Sequence, residues 1–207
     1  MRSKSMRSID PSKNTETENY KLMIGSVIPR PIAFVTSLAK DGTLNGAPFS
    51  YFNIASSKPP MISVAVIRKG TGQKDTARNI IDTKEFVVHI VDESIVEKVN
   101  NTAASLPPDQ SEIELVNFTE VESTKISVPG IKEAKIRMEC VLEHHLILGD
   151  KDAPSSDLII GRVVHFHFDE DVYENGKINK DSLAAISRLA GHNYAKIGEV
   201  FEIVRPK

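Results

Sequence analysis

The densest run of chemistry-bearing side chains lies between Arg30 and Asn79. Thr36 and Ser37 end an apolar stretch, Asn45 follows, and Ser50, Asn53, Ser56 and Ser57 fill the next segment. Lys69, Lys74, Thr76, Arg78 and Asn79 then surround a Gly-X-Gly turn (Gly70, Gly72) that leads into a helical pattern. A strand, a glycine-bearing loop and a helix start make a physically sensible anion site. Exposed backbone N–H groups and the helix dipole favour phosphate there, and Lys74 with the Thr76 hydroxyl reinforces them. A capped, solvated surface helix uses the same residues equally well. Neither named phosphate loop is present: no Gly-Lys-Ser/Thr follows at P-loop spacing, and Gly70 and Gly72 lack the third glycine of the dinucleotide fingerprint.

Other candidate chemistry is thinner. His165 and His167 alternate in a strand pattern and share one face, as two metal ligands would, with Asp169, His144 and His145 near them. Spacing supplies no third ligand, so a solvent or interface face is expected and no metal. Cys140 sits in the apolar context MECVL, which reads as a buried, inert thiol. No Gly-X-Ser-X-Gly elbow occurs, so a serine nucleophile gains no support. No catalytic side chain is assigned.

Composition narrows the classes further. The 207 residues suffice for one substantial domain, with 40% hydrophobic and 26% charged residues, as in ordinary globular chains. Lys and Arg total 26 against 28 Asp and Glu, which argues against a nucleic-acid binder working through a general basic field. One cysteine excludes an intramolecular disulfide framework and multi-cysteine metal sites. No tryptophan and 6% aromatics leave little for stacking single strands. Residues 1–19 carry Arg2, Lys4, Arg7 and Lys13 without the apolar run of a signal peptide. They read as a flexible arm, or as an arm ordered against a partner subunit. No membrane span is expected, and the location is expected to be cytoplasmic.

The elements that must position these residues are mainly strands. Pro31–Leu38 ends at the turn signal Asp41-Gly42, and Ala47–Ile54 is its expected partner. The apolar run MISVAVIRK after Pro59-Pro60 reads as a third strand. Asp75 is placed to cap a helix through Thr83, Glu85–Val91 is a strand, and Asp92 caps a second helix bearing Ile95, Val96, Val99 and Ala103 before Pro107. Ala134–Leu148 and Leu158–Phe168 are long strands, Asp181–Leu189 a short helix, and Glu199–Val204 a final strand. The pattern predicts a closed or partly closed antiparallel barrel, because strict βαβ alternation is missing.

Five motifs in one order carry a resemblance: IPRPIAFVTS (Ile28–Ser37), GTLNGAPFSYFNIASSKPP (Gly42–Pro60), KDTARNI (Lys74–Ile80), EFVVHIVDE (Glu85–Glu93) and RLAGHNYAKIGEVFEIVRP (Arg188–Pro206). Together they span about residues 20–206. The chain resembles the flavin reductase-like, FMN-binding split-barrel proteins, flavoredoxin-type members included. The resemblance implies a mainly β chain with short helices, a six-stranded antiparallel Greek-key split barrel over residues 20–207, and a homodimer with FMN near the subunit interface. By position it places Thr36 and Ser37 beside the flavin ring and ribityl chain. Ser50, Asn53, Ile54, Ala55 and Ser56 would run along the cofactor, partly through backbone groups. Lys74 and Thr76 become phosphate ligands and Arg30 a further anion contact. Arg188, His192 and Tyr194 line the outer face of the flavin or come from the partner subunit. Ala190-Gly191 departs from the glycine pair of many relatives, which implies a less permissive backbone there.

The implied activity is that of an FMN-dependent NAD(P)H oxidoreductase of the flavin-reductase type. A nicotinamide, NADH or NADPH, gives hydride to the flavin, and an oxygenase or another electron acceptor receives the electrons. A flavoredoxin-like electron carrier without nicotinamide activity and a non-catalytic flavin-binding protein are the alternatives. A chain offering no nucleophile suits chemistry carried by a bound cofactor.

Overall fold

The computed structural model describes residues 5–70, 72–104, 107 and 110–206. Arg2 and Lys4 of the expected arm, and the residue between Gly70 and Gly72, lie outside the described residues. In chain order the strands are β1 (Arg30–Pro31), β2 (Ala33–Leu38), β3 (Leu44–Phe49), β4 (Phe52–Ser57), β5 (Pro60–Ile67), β6 (Glu85–Ile90), β7 (Glu120–Val121), β8 (Gly130–Ile131), β9 (Ile136–Asp150), β10 (Ala153–Phe168), β11 (Tyr173–Glu174), β12 (Lys177–Ile178), β13 (Ile186–Arg188) and β14 (Tyr194–Lys196). The helices are α1 (Glu16–Ser26), α2 (Asp75–Thr83), α3 (Val96–Asn101), α4 (Glu112–Leu115) and α5 (Lys180–Leu183).

The main sheet runs β3-β2-β6-β9-β10-β5-β4, with every neighbouring pair antiparallel. Its two edge strands, β3 and β4, are consecutive in the chain and joined by Ser50 and Tyr51 alone. A two-residue link between opposite edges forces the sheet to curl on itself, and the amide of Ala65 donates to the Tyr51 carbonyl at 2.8 Å beside that link. The mainly β split barrel expected from the sequence is therefore the fold. The expected strand Ala47–Ile54 divides into β3 and β4 because the chain must pass from one edge to the other within it. That division makes seven strands of the expected six.

Burial on both faces explains why β2 and β6 read as continuous apolar runs. Ala33, Val35, Phe86 and Val88 join one core with Val64, Ile159 and Cys140, while Phe34 and Val87 join a second with Val99, Ile113 and Ile131. Neighbours on one strand alternate between the two cores, as the period of two requires. α2 closes the first core with Ala77 and Ile80, and α3 and α4 cover the second.

Several local expectations change. Lys74, not Asp75, is the N-cap of α2, and Asp75 sits in the first turn, where it pairs with Arg78 at 2.6 Å. Asp92 holds a turn through Ser94 rather than capping α3 directly, and α3 starts at Val96. The helix expected over Asp181–Leu189 is shorter. Asn179 caps α5, Ala184 ends it with φ 50°, and Ile186–Arg188 turn into a strand because β1 and β14 supply ladder partners. The segment expected as a strand at Glu199–Val204 is exposed and forms no ladder among the described residues. α1 starts at a capping box in which Thr15 and Glu18 bond reciprocally, so the boundary expected at residue 20 falls inside a helix.

Candidate functional site

The link between β3 and β4 forms the floor of a groove made of three adjoining cavities. The middle one, about 150 Å³, gathers Arg30, Ser50, Lys74 and Arg188 with Tyr20, Phe49 and Leu189. Towards α2 it continues, through Phe49 and Lys74, into a cavity of about 320 Å³ lined by Lys69, Gln73, Thr76, Asn45 and Glu112. Towards α1 it continues, through Arg30 and Ser50, into a cavity of about 330 Å³ lined by Met23, Val27, Tyr51 and Asn53. A larger cavity of about 660 Å³ lies between the β2–β3 turn and α4. It contains none of the expected cofactor residues, and its charged lining is Glu114 and Glu120, which repel a phosphate. The cationic groove is the better anion site.

The fold brings four expected residues, Arg30, Ser50, Lys74 and Arg188, into one cavity. Arg30 is buried, and its guanidinium donates to the carbonyls of Ile24, Val27 and Leu189, with Nε 3.5 Å from Ser50 Oγ. It caps the end of α1 and ties that helix to the segment after β13. Most of its donors are spent on the protein itself. Arg188 stacks its guanidinium 4.4 Å from the Tyr194 ring centre and donates to the Gly191 carbonyl. The Tyr194 hydroxyl donates to Asn100 of α3 at 2.8 Å. Gly191 has φ +60° and Ala190 does not share that geometry, so one glycine meets the local need.

β4 supplies the next four. Asn53, Ile54 and Ala55 are exposed and Ser56 is half-buried. A register break between Ile54 and Ser56 leaves Ala55 without a partner on β5. As the end strand of the sheet, β4 leaves one edge of N–H and C=O groups without a strand partner; Asn53 lines the cavity towards α1, while Ile54, Ala55 and Ser56 line none of the three.

Thr36, Ser37 and Thr76 are placed differently from surface ligands. All three are buried. Thr36 Oγ1 donates to the Pro129 carbonyl at 2.7 Å, and Ser37 Oγ donates to Asn45 Oδ1 at 3.3 Å. Thr76 Oγ1 donates to the same Asn45 Oδ1 at 2.7 Å, so its proton faces inward. What Thr76 presents to the groove is the start of a helix. α2 has no side-chain cap, and its N-cap Lys74 is exposed with Nζ 5.9 Å from the Phe49 ring.

Asp157 anchors the loop between β5 and α2. Its carboxylate is fully buried and accepts from Arg68 Nε (2.9 Å) and Nη2 (2.6 Å), Gln73 (3.1 Å) and His145 (2.8 Å). Burial alone would push this carboxyl up, but these four bonds hold it below the usual range. Arg68 and Gln73 flank the Lys69–Gly72 bridge, so Asp157 fixes both ends of the loop that delivers Lys74. Glu112 and Asp157 were not among the sequence candidates. Glu112 meets partners 66 and 67 residues away, a distance at which no spacing rule operates.

His89, His165, His167 and the cysteine are engaged elsewhere. His167 Nε2 lies 2.6 Å from the buried Glu139 carboxylate, and the His165 ring packs edge-on against it. His89 is fully buried: Nδ1 faces the Phe34 carbonyl and Nε2 accepts from the Ile131 amide at 2.9 Å. Burial pushes its pKa down to about 3. Burial also raises the Cys140 thiol far above its ordinary range, the charge of Glu139 adding to the effect, as an inert thiol requires.

A split antiparallel barrel with a cationic groove along its open edge defines a class of cofactor-binding proteins. The chain belongs to the flavin reductase-like domain family, which it matches over residues 24–185. Membership makes it an oxidoreductase-type, flavin-binding fold. YwrF of Bacillus subtilis is 54% identical over 192 residues, 91% of this chain and 94% of that protein. Nitrilotriacetate monooxygenase component B from Bacillus cereus is 61% identical with a TM-score of 0.96, over 97% of this chain and 100% of that one. The 2-nitrobenzoate 2-nitroreductase NbaA of Pseudomonas fluorescens is 34% identical with a TM-score of 0.87, over 97% and 96% of the two chains.

Proposed function

We propose that this protein is an FMN-dependent NAD(P)H oxidoreductase of the flavin-reductase type that passes electrons to an oxygenase or another acceptor. The observation that carries this reading is the N-terminus of α2, where a lysine, Lys74, stands in place of a side-chain cap. A cation beside the positive end of a helix is unfavourable unless an anion lies between them. A cofactor phosphate there would be held by the Lys74 ammonium, the backbone N–H of Thr76 and its neighbours, and the field of Lys69. The donor set fits FMN on that ground.

Bound FMN would supply the hydride and electron transfer, with NADH or NADPH as donor. The chain's own task is positional. The open edge of β4 at Asn53–Ser56 offers backbone hydrogen bonds along the cofactor, and Ser50 and the Arg188–Tyr194 pair border its other side. Arg30 and Arg188 give the groove a positive potential that favours an electron-rich ligand. Ser37 backs the cavity beside α2 through its bond to Asn45, and Thr36, bonded to Pro129, faces away from the groove. Leu146, Ile147 and Leu148 are exposed in succession on β9, which supports a homodimer. The name of the Bacillus cereus relative supports an oxygenase as the partner. A cytoplasmic location suits a nicotinamide donor.

Anaerobic mixing of the FMN-loaded protein with NADH and with NADPH tests the reading. Bleaching of the visible flavin band by either nicotinamide is expected. Bleaching by a protein donor but by neither nicotinamide would make the protein a flavoredoxin-like carrier instead. A protein that takes up no FMN ends both readings.

A further inference from the structure

Glu112 opens α4 and faces β3. Its side chain is buried, and Oε2 accepts from the Gly46 amide at 3.1 Å and from Asn45 Nδ2 at 3.0 Å. Gly46 makes this approach possible, since a Cβ there would meet Ile113 Cδ1 at 2.5 Å and Phe34 Cζ at 2.8 Å. By taking the Nδ2 bond, Glu112 sets the orientation of the Asn45 amide, so that Oδ1 faces the hydroxyls of Ser37 and Thr76. Thr76 belongs to the first turn of α2. A carboxyl group on α4 therefore reaches, through one amide, the helix end that carries Lys74. Glu112 also lines the same cavity as Lys69, Lys74 and Thr76.

We infer that Glu112 is a positioning residue for the anion site on α2 and that its charge sets the pH response of that site. The inference rests on the flavin reading only for the identity of the anion. Both protonation states keep an acceptor for Asn45 and Gly46, so the helix end stays in place. The ionised state alone opposes a negative ligand in the shared cavity. Burial pushes the Glu112 carboxyl above the ordinary range, helped by the charge of Asp75 and opposed by the bonds from Gly46 and Asn45. The charged groups facing it are Lys69 of the loop and Lys74 and Asp75 of α2, with Arg78 paired to Asp75 and Glu114 on its own helix. Residues 102–104, which follow α3, contribute no titratable group to this cavity.

The test is a titration of the full chain with FMN, and separately with inorganic phosphate, from pH 5 to pH 8. Wild type, Glu112→Gln and Glu112→Ala are compared, with a thermal melt of each. At pH 8 Glu112→Gln should bind about fivefold more tightly than wild type, and the gap should narrow as pH falls and the carboxyl takes up a proton. Glu112→Ala should bind more weakly than Glu112→Gln throughout, because the Asn45 amide is released. Titration of the FMN phosphate is common to all three proteins and cancels. Superposing wild-type and Gln curves at every pH would overturn the charge role. An Ala variant as tight as the Gln variant would overturn the positioning role. Glu112-dependent phosphate binding without FMN binding keeps the inference and removes the flavin reading; FMN binding indifferent to Glu112 does the reverse. Binding of neither probe removes both.

Discussion

Thr76 Oγ1 donates to Asn45 Oδ1 at 2.7 Å, across 31 residues of sequence. That bond points the only hydroxyl proton of the α2 first turn away from the groove. It separates two roles that neighbouring residues share in the sequence. Lys74 offers charge to a ligand, and Thr76 holds the helix that presents it.

Substitution should divide along that line. Lys74→Ala is expected to weaken FMN binding by about fivefold, in the range of one charge-assisted contact, with the melting temperature unchanged. Thr76→Val should cost about 1–3 kcal/mol of stability, because Asn45 Oδ1 loses a buried donor. Isothermal titration and urea unfolding of the two single variants check this. Equal stability of Thr76→Val and wild type would contradict it.

Arg30 predicts a loss of stability spread over distant segments. Arg30→Lys keeps the charge but cannot reach the carbonyls of Ile24, Val27 and Leu189 together. A loss of about 2 kcal/mol is expected. Hydrogen exchange should quicken in α1 and around Leu189 at once, while the β9–β10 hairpin stays protected. Quickening confined to one of the two segments would show that Arg30 does not join them.

His89 makes stability depend on pH. Its folded pKa lies near 3 and its ordinary value is 6.5. Above 6.5 both states are neutral and nothing changes. Below it the unfolded chain takes up a proton that the folded chain refuses, so stability falls as pH drops towards 3. The expected slope from this group is about 1.4 kcal/mol per pH unit over that window. Urea unfolding at pH 7, 6, 5 and 4, with His89→Gln in parallel, isolates it. A wild-type slope no steeper than that of the variant would remove His89 as the cause.

Gly46 tests the contact between α4 and β3. Gly46→Ala places a methyl 2.5 Å from Ile113 Cδ1. Overpacking there should cost about 1–3 kcal/mol and displace α4, and Glu112 with it. Unfolding curves give the first effect, and a weaker retention of FMN gives the second. An alanine variant as stable as wild type would mean that α4 moves freely on the sheet.

Much of the barrel was legible because strands advertise themselves locally. MISVAVIRK and EFVVHIV are too β-branched and too short for helices, and they became β5 and β6. The failures came where a partner decides. Ile186–Arg188 follows a helical pattern yet pairs with Arg30-Pro31, and Glu199–Val204 has a strand composition yet finds no edge among the described residues. β-structure needs a second strand, and sequence pattern says nothing about whether one is in reach.

The same division runs through the site. The sequence by itself determined that a glycine-bearing loop precedes a helix and that Lys69 and Lys74 stand on either side of that loop. Those are properties of neighbouring residues, which local backbone geometry keeps together. Only the tertiary structure decided that Arg30 would spend its guanidinium on three carbonyls, that Thr76 would turn inward to Asn45, and that Glu112 would stand behind both. Hydrogen bonds reach about 3 Å, and which groups come within that range is set by how the barrel closes.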